Sequence, residues 1–173
     1  MSDARPAFRA ERRGVAVRMA LGAAAVVVGF WFASRHGRPA PLLERLEAAS
    51  WAAAAALAWL AAAIGDVARR RFFSERDIGG AVEPASPAVA RARAVLANTL
   101  EQAALAAPLY LLLALAEPRA VAMLVFLGGG FSIGRAPFRL GYRRGASARA
   151  LGFTLTFYPS VGGLLWLFGA LGR

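Results

Sequence analysis

The sequence predicts an all-α fold, a bundle of transmembrane helices. Three observations carry that expectation. The chain of 173 residues is 58% hydrophobic, with a mean hydropathy of +0.50. Its apolar residues fall into long stretches separated by short polar connections. Its basic residues gather on alternate connections. A soluble domain of this length needs more polar surface. A hydrocarbon core of about 30 Å is crossed by about 20 apolar residues in helical conformation. The length is therefore used up by spans and short loops, with no room for a separate soluble domain.

The first span is expected at about Val15–Ala33, behind Arg5, Arg9, Arg12 and Arg13. Its flank and length approach those of a signal peptide. No clear small-x-small cleavage site follows, and Trp31 and Phe32 read as an interfacial anchor, so an uncleaved helix is expected. The second span, about Leu46–Ala68, carries a run of alanines around Trp51 and Trp59. The third is about Val89–Leu115, the fourth about Arg119–Arg139 and the fifth about Ala148–Gly172. Pro39, Pro41, Pro118 and the Gly141–Gly145 segment punctuate the chain, and Arg69–Ala88 is the longest polar connection. Pro108 and Pro159 are expected to kink their helices. Gly128-Gly129-Gly130, Gly134 and Gly162-Gly163 read as close helix packing rather than a phosphate loop.

The net charge is +11, and all 21 basic residues are arginine. Such a balance suggests nucleic acid in a soluble protein. Here the arginines sit between apolar segments, where orientation signals belong, so no nucleic-acid partner is expected. With the N-terminus inside, sixteen arginines fall on the inner side and five on the outer. The positive-inside rule then puts the N-terminus in the cytoplasm, in a multi-pass protein of the plasma (inner) membrane. There is no cysteine and one histidine, His36, in the Gly/Pro-rich Ser34–Pro41 loop. Disulfides, a cysteine nucleophile and Cys/His zinc sites are excluded, no metal is expected, and His36 reads as a solvated side chain.

Polar groups inside a span are costly and usually have a partner or a task. On the third span Asn98 and Glu101 lie three residues apart, and Arg91 lies two turns before Asn98. The three form a polar stripe entering from the inner end. Arg135, Phe138 and Tyr142 share a face if the fourth helix continues through Pro137, and Arg149 opens the fifth helix at the same level. Glu101 is expected to face Arg135, Arg139 or Arg149, within the bundle or across a subunit boundary. Such a pair can merely lock two helices together, with Asn98 as interhelical glue. The excess of guanidinium groups suits an anionic ligand instead. Asp66 reads as an interfacial charge beside Arg69–Arg71.

Asn98-Thr-Leu-Glu101-Gln102, followed by Arg135, Gly141-Tyr142 and Arg149-Ala-Leu-Gly152-Phe, resembles the MAPEG family, membrane-associated proteins of eicosanoid and glutathione metabolism, in a bacterial form. The resemblance covers about Trp51–Leu171. It implies two units, an additional basic segment and helix over 1–41 and a four-helix membrane domain over 42–173. It further implies a homotrimer binding glutathione in a cleft between subunits near the cytoplasmic side, and a lipophilic small molecule as second substrate. By that resemblance Asn98 and Glu101 hold the tripeptide, Arg135 and Tyr142 line the cleft, and Arg149 stabilises the thiolate. Two positions depart from the pattern: the usual arginine four before Asn98 is Ala94, and a tyrosine often found four before Tyr142 is Phe138. Two functions follow, a glutathione-dependent transferase or peroxidase acting on lipophilic electrophiles, and a non-catalytic protein of the same fold binding a lipid, an anionic metabolite or a partner. A transporter needs a polar path, and the outer halves of the third and fourth spans offer none.

Overall fold

A computed structural model describes residues 4–80 and 83–172, with side chains from residue 8 onward. Arg173 and the side chain of Arg5, both used in the charge count, lie outside it. The described residues form five helices: α1 (Ala4–His36), α2 (Leu42–Phe72), α3 (Pro87–Ala116), α4 (Ala120–Gly141) and α5 (Ala146–Leu171). Each is long and apolar enough to cross a membrane, which makes the chain an integral, multi-pass membrane protein. Helices α1 and α2 overrun their expected apolar stretches by several residues, whereas α3, α4 and α5 begin and end within two residues of theirs. Hydropathy marks the part that fits the hydrocarbon, while the hydrogen-bonded ladder continues into the polar interface until a breaker stops it. Pro41 precedes α2, and Ser86 caps α3 by accepting from the Val89 N–H. A turn through Gly145, at φ 101°, joins α4 to α5 in a conformation that favours glycine.

Helices α2, α3, α5 and α4 pack in a ring, with α2 against α3 and α4 against α5 as the closest pairs. The centre is filled by small residues of α2 (Ala49, Ala52, Ala56) set against Leu109, Leu113, Leu124, Leu127 and Phe131. Lipid is as apolar as these side chains, so dispersion and close approach hold the helices together rather than water exclusion. Glycines serve that approach. A Cβ on Gly152 would lie 2.4 Å from the Phe138 backbone nitrogen, and one on Gly134 would lie 2.9 Å from the Gly152 carbonyl oxygen. The α4–α5 contact is therefore backbone against backbone. Thr99, Thr154 and Ser160 are buried, and each satisfies its hydroxyl on a carbonyl one turn back in its own helix.

Helix α1 packs along α5 and, less extensively, α4. Gly14 and Gly22 form the seam, where a Cβ would approach Ser147 Oγ to 2.7 Å and Thr154 Cγ2 to 2.6 Å. Glu11 Oε1 accepts from the Ser147 N–H at 2.8 Å, satisfying an orphan donor at the start of α5, and Arg18 donates to the Ser147 hydroxyl. The opposite face of α1, with Val17, Leu21 and Val28, is exposed.

The connection between α2 and α3 is ordered around Asp77. Its carboxylate accepts from Ser86 and from the Ser74 hydroxyl, at 3.1 Å from the Ser86 N–H and 2.7 Å from Ser74 Oγ. These bonds, Ser86 first, hold the carboxyl well below its usual range, at about 2.

Candidate functional site

The arginine-rich end of the bundle gathers the start of α1, α3 and α5 and the close of α2 and α4. Helix α4 does continue through Pro137 to Gly141, so Arg135, Phe138 and Tyr142 fall on one face. That continuity builds a ladder of alternating cations and aromatic rings. Arg135, only 1% exposed, donates from both terminal nitrogens to Asn98 Oδ1, at 3.1 and 3.0 Å. Its guanidinium stands over the Phe138 ring at 4.1 Å. Phe138 meets Tyr142 edge to face at 5.6 Å, and Arg149 stands over the Tyr142 ring at 4.3 Å. Cation–π contacts of this kind stabilise by about 0.5–2 kcal/mol, most where water is excluded.

Beside the ladder lies a cavity of about 320 Å³. Asn98, Tyr142 and Arg149 give it a polar side; Phe138, Phe153, Met19 and Val15 give it an apolar one. Arg135 does not line it, contrary to expectation. It sits behind Asn98 and Phe138 and acts through them. With Oδ1 of Asn98 occupied by Arg135, the amide nitrogen is left to donate to a ligand. No carboxylate lies within ion-pair reach of Arg135 or Arg149 among the described residues. The cavity is thus backed by one deeply buried positive charge and edged by a second.

The expected stripe on α3 is divided. Glu101 does not face Arg135, Arg139 or Arg149 within the chain; it is exposed on the outer surface of α3, between Leu100 and Gln102. The reason is phase. A helix advances 100° per residue, so three residues past Asn98 the side chain has turned about 60° away. Gln102, which follows, is buried, and its Oε1 has no partner. Arg91 is exposed and belongs to a second, wider cavity of about 680 Å³ between α2, α3 and α4, where Asp66, Arg70, Arg139 and Arg143 also point. Tyr142 lines both cavities and stands between them.

Sequence reasoning missed two things here. Asp66 is more than an interfacial charge: it meets Arg69 and Arg70 at 3.1 Å and Arg139 at 3.5 Å, tying α2 to α4 and leaving Arg139 unavailable to Glu101. The α1 residues Val15 and Met19 carry no polar signal and were legible only as membrane filling. Arg93, one residue out of phase for the site, pairs with Glu83 at 2.7 Å in the α2–α3 connection.

A glycine-packed four-helix ring with an Asn–Arg contact and a Tyr–Arg stack at one end is the setting in which the sequence comparison takes its meaning. The MAPEG family model matches residues 47–169, from the first turns of α2 to the last of α5. The chain belongs to the MAPEG family. In this MAPEG protein the match holds every candidate residue from Arg91 to Arg149 and leaves α1 outside. No curated protein and no solved structure matches the chain.

Proposed function

We propose that this MAPEG protein is a glutathione-dependent membrane enzyme, a transferase or peroxidase acting on lipophilic electrophiles. The observation that carries the reading is the cavity edged by Arg149 and backed by Arg135, two guanidinium groups without a carboxylate partner among the described residues. A buried charge left unpaired costs several kcal/mol, which an anionic ligand offsets. Glutathione is such a ligand, and a cavity of about 320 Å³ stands at the lower end of the roughly 300–1,000 Å³ usual for small-molecule sites.

When bound, glutathione supplies a sulfur nucleophile that is reactive as the thiolate. Asn98 donates to the ligand from its amide nitrogen, with the amide held in register by Arg135. Arg149 serves by fixed charge rather than as a base. Its stack on Tyr142 preorganises that charge. Phe153, Met19 and Val15 exclude water and receive an apolar group.

The same reading places the arginine-rich end in the cytoplasm and the chain in the plasma membrane of a bacterium, and makes the protein a homotrimer. Glu101 supports the last point. A carboxylate facing hydrocarbon costs about 3 kcal/mol, and a neighbouring subunit covering the outer face of α3 removes that cost. Glu101 then contributes to a ligand across the subunit boundary.

A second reading, a non-catalytic binder of a lipid or anionic metabolite, is favoured by one observation: Phe138 and Ala94 stand where family members carry polar contacts, and Arg93 is engaged by Glu83. Calorimetry of glutathione binding to detergent-purified protein, with a thiol-consumption assay on 1-chloro-2,4-dinitrobenzene, separates the two. Binding with turnover is expected. Binding without turnover on any electrophile tried favours the second reading, and absence of binding rejects the first.

A further inference from the structure

The family match begins at residue 47, yet the cavity beside Asn98, Tyr142 and Arg149 is completed by two residues that precede it, Val15 and Met19 of α1. Helix α1 is not loosely apposed there. Glu11 accepts from the N–H of Ser147, Arg18 donates to the same residue's hydroxyl, and Gly14 and Gly22 bring the backbone of α1 against α5 immediately beside the cavity. The seam fixes the rotation of α1. Val17 and Leu21 point away from the bundle, while Val15 and Met19 point into the cavity.

The two sides of the cavity differ in chemistry. Asn98, Tyr142 and Arg149 suit a charged, hydrogen-bonding ligand. Val15, Met19 and Phe153 offer only dispersion and apolar burial, and methionine adapts its shape to irregular groups. A ligand whose charged tripeptide is held by Asn98, with its sulfur beside Arg149, directs any apolar substituent on that sulfur to the other side. We propose that α1 is part of the site, and that Val15 and Met19 form the wall receiving the apolar portion of the electrophile, an aromatic ring or a short alkyl chain. This assignment rests on the glutathione reading above. It makes an element outside the family match the determinant of which lipophilic substrates fit.

The chain contains no cysteine, so Met19→Cys carries a single thiol and can be followed alone. The variant is treated with N-ethylmaleimide in the presence of S-hexylglutathione or of glutathione sulfonate, which shares the charged head and lacks the hexyl chain. Calorimetry on the same samples reports whether each ligand binds. At a ligand concentration about ten times Kd the free site falls to about one tenth, so S-hexylglutathione is expected to slow labelling about tenfold. Glutathione sulfonate should slow it far less. Val28→Cys, on the outward face of α1, should be indifferent to both. Val15→Cys provides a second reporter on the wall should Met19→Cys fail to fold. If both ligands bind and neither protects, α1 is not part of the site and the glutathione reading stands. If both protect equally, the wall holds the tripeptide itself and the assignment to the apolar group is wrong. If neither ligand binds wild-type protein, the glutathione reading falls and takes this proposal with it.

Discussion

At the scale of single residues, the two arginines of the ladder have separable tasks. Arg149 edges the cavity, and on the proposed glutathione reading its charge matters most when negative charge is concentrated on sulfur. Preorganised stabilisation of that kind typically contributes about 3 kcal/mol, or roughly a hundredfold in rate. Arg149→Ala should cut turnover by about that factor and leave glutathione affinity nearly unchanged, whereas Glu101→Ala should weaken binding first. Steady-state kinetics beside calorimetry checks both, and full turnover in Arg149→Ala would refute its role. Arg135 is buried with an amide and a ring for company. An unneutralised buried guanidinium is costly to the fold, and exchanging buried charge for an apolar side chain is often neutral or stabilising. Arg135→Met should therefore keep or raise Tm in detergent while weakening glutathione binding. A large fall in Tm would mean that the Asn98 contact is chiefly a structural clasp.

At the scale of elements, the α4–α5 hairpin depends on glycine. An added methyl at Gly152 has backbone on its far side and cannot be relieved by a side-chain rotation. Overpacking of this kind costs about 1–3 kcal/mol. Gly152→Ala should lower Tm accordingly and, by prising α5 from α4, loosen the Arg149–Tyr142 stack; an unchanged Tm would show that the hairpin tolerates a wider spacing. In the α2–α3 connection, Asp77 has a carboxyl held down at about 2 against an ordinary value of 3.8. A depressed folded-state value contributes stability that is present above the ordinary pKa and lost as pH falls through the folded one. Order in the connection should hold from neutral pH to about 4 and decay towards 2. Hydrogen exchange at neutral pH should find the Asp77→Ala connection deprotected with the helices unchanged. Equal exchange in both proteins would remove Asp77 as the organiser.

At the scale of the whole molecule, the arginine asymmetry predicts the orientation, since segments carrying arginine are usually retained on the cytoplasmic side. Reporter fusions after Pro84 and after Gly145 should both read cytoplasmic, and an external signal from either would overturn the topology. Both connections lie at the end of the bundle that carries the Asn98 and Asp66 clusters, so the same result decides from which side a water-soluble ligand enters. The opposite end is tied together by side-chain hydrogen bonds. Arg45 of α2 donates to the Ala114 carbonyl at the end of α3, and Trp166 of α5 donates to Glu117.

By itself the sequence determined the number of spans, their order, the family and which polar residues cluster at one end. Each of these depends on quantities local in the chain: hydropathy over about 20 residues, the spacing of Asn98 from Glu101, the position of arginines between spans. Helical phase also placed Arg135, Phe138 and Tyr142 together, because a single continuous helix carries all three. What only the tertiary structure decided is which faces meet. Phase relates residues within one helix and says nothing of how that helix is rotated against its neighbours. Glu101 was therefore legible as a membrane carboxylate and illegible as an outward one, and Arg139 was legible as a partner for an acid but not for Asp66 in particular. Val15 and Met19 were indistinguishable from residues that merely fill a bilayer. Their place beside Arg149 comes from Gly14, Gly22 and Ser147, contacts that join residues more than a hundred positions apart and that no local pattern encodes.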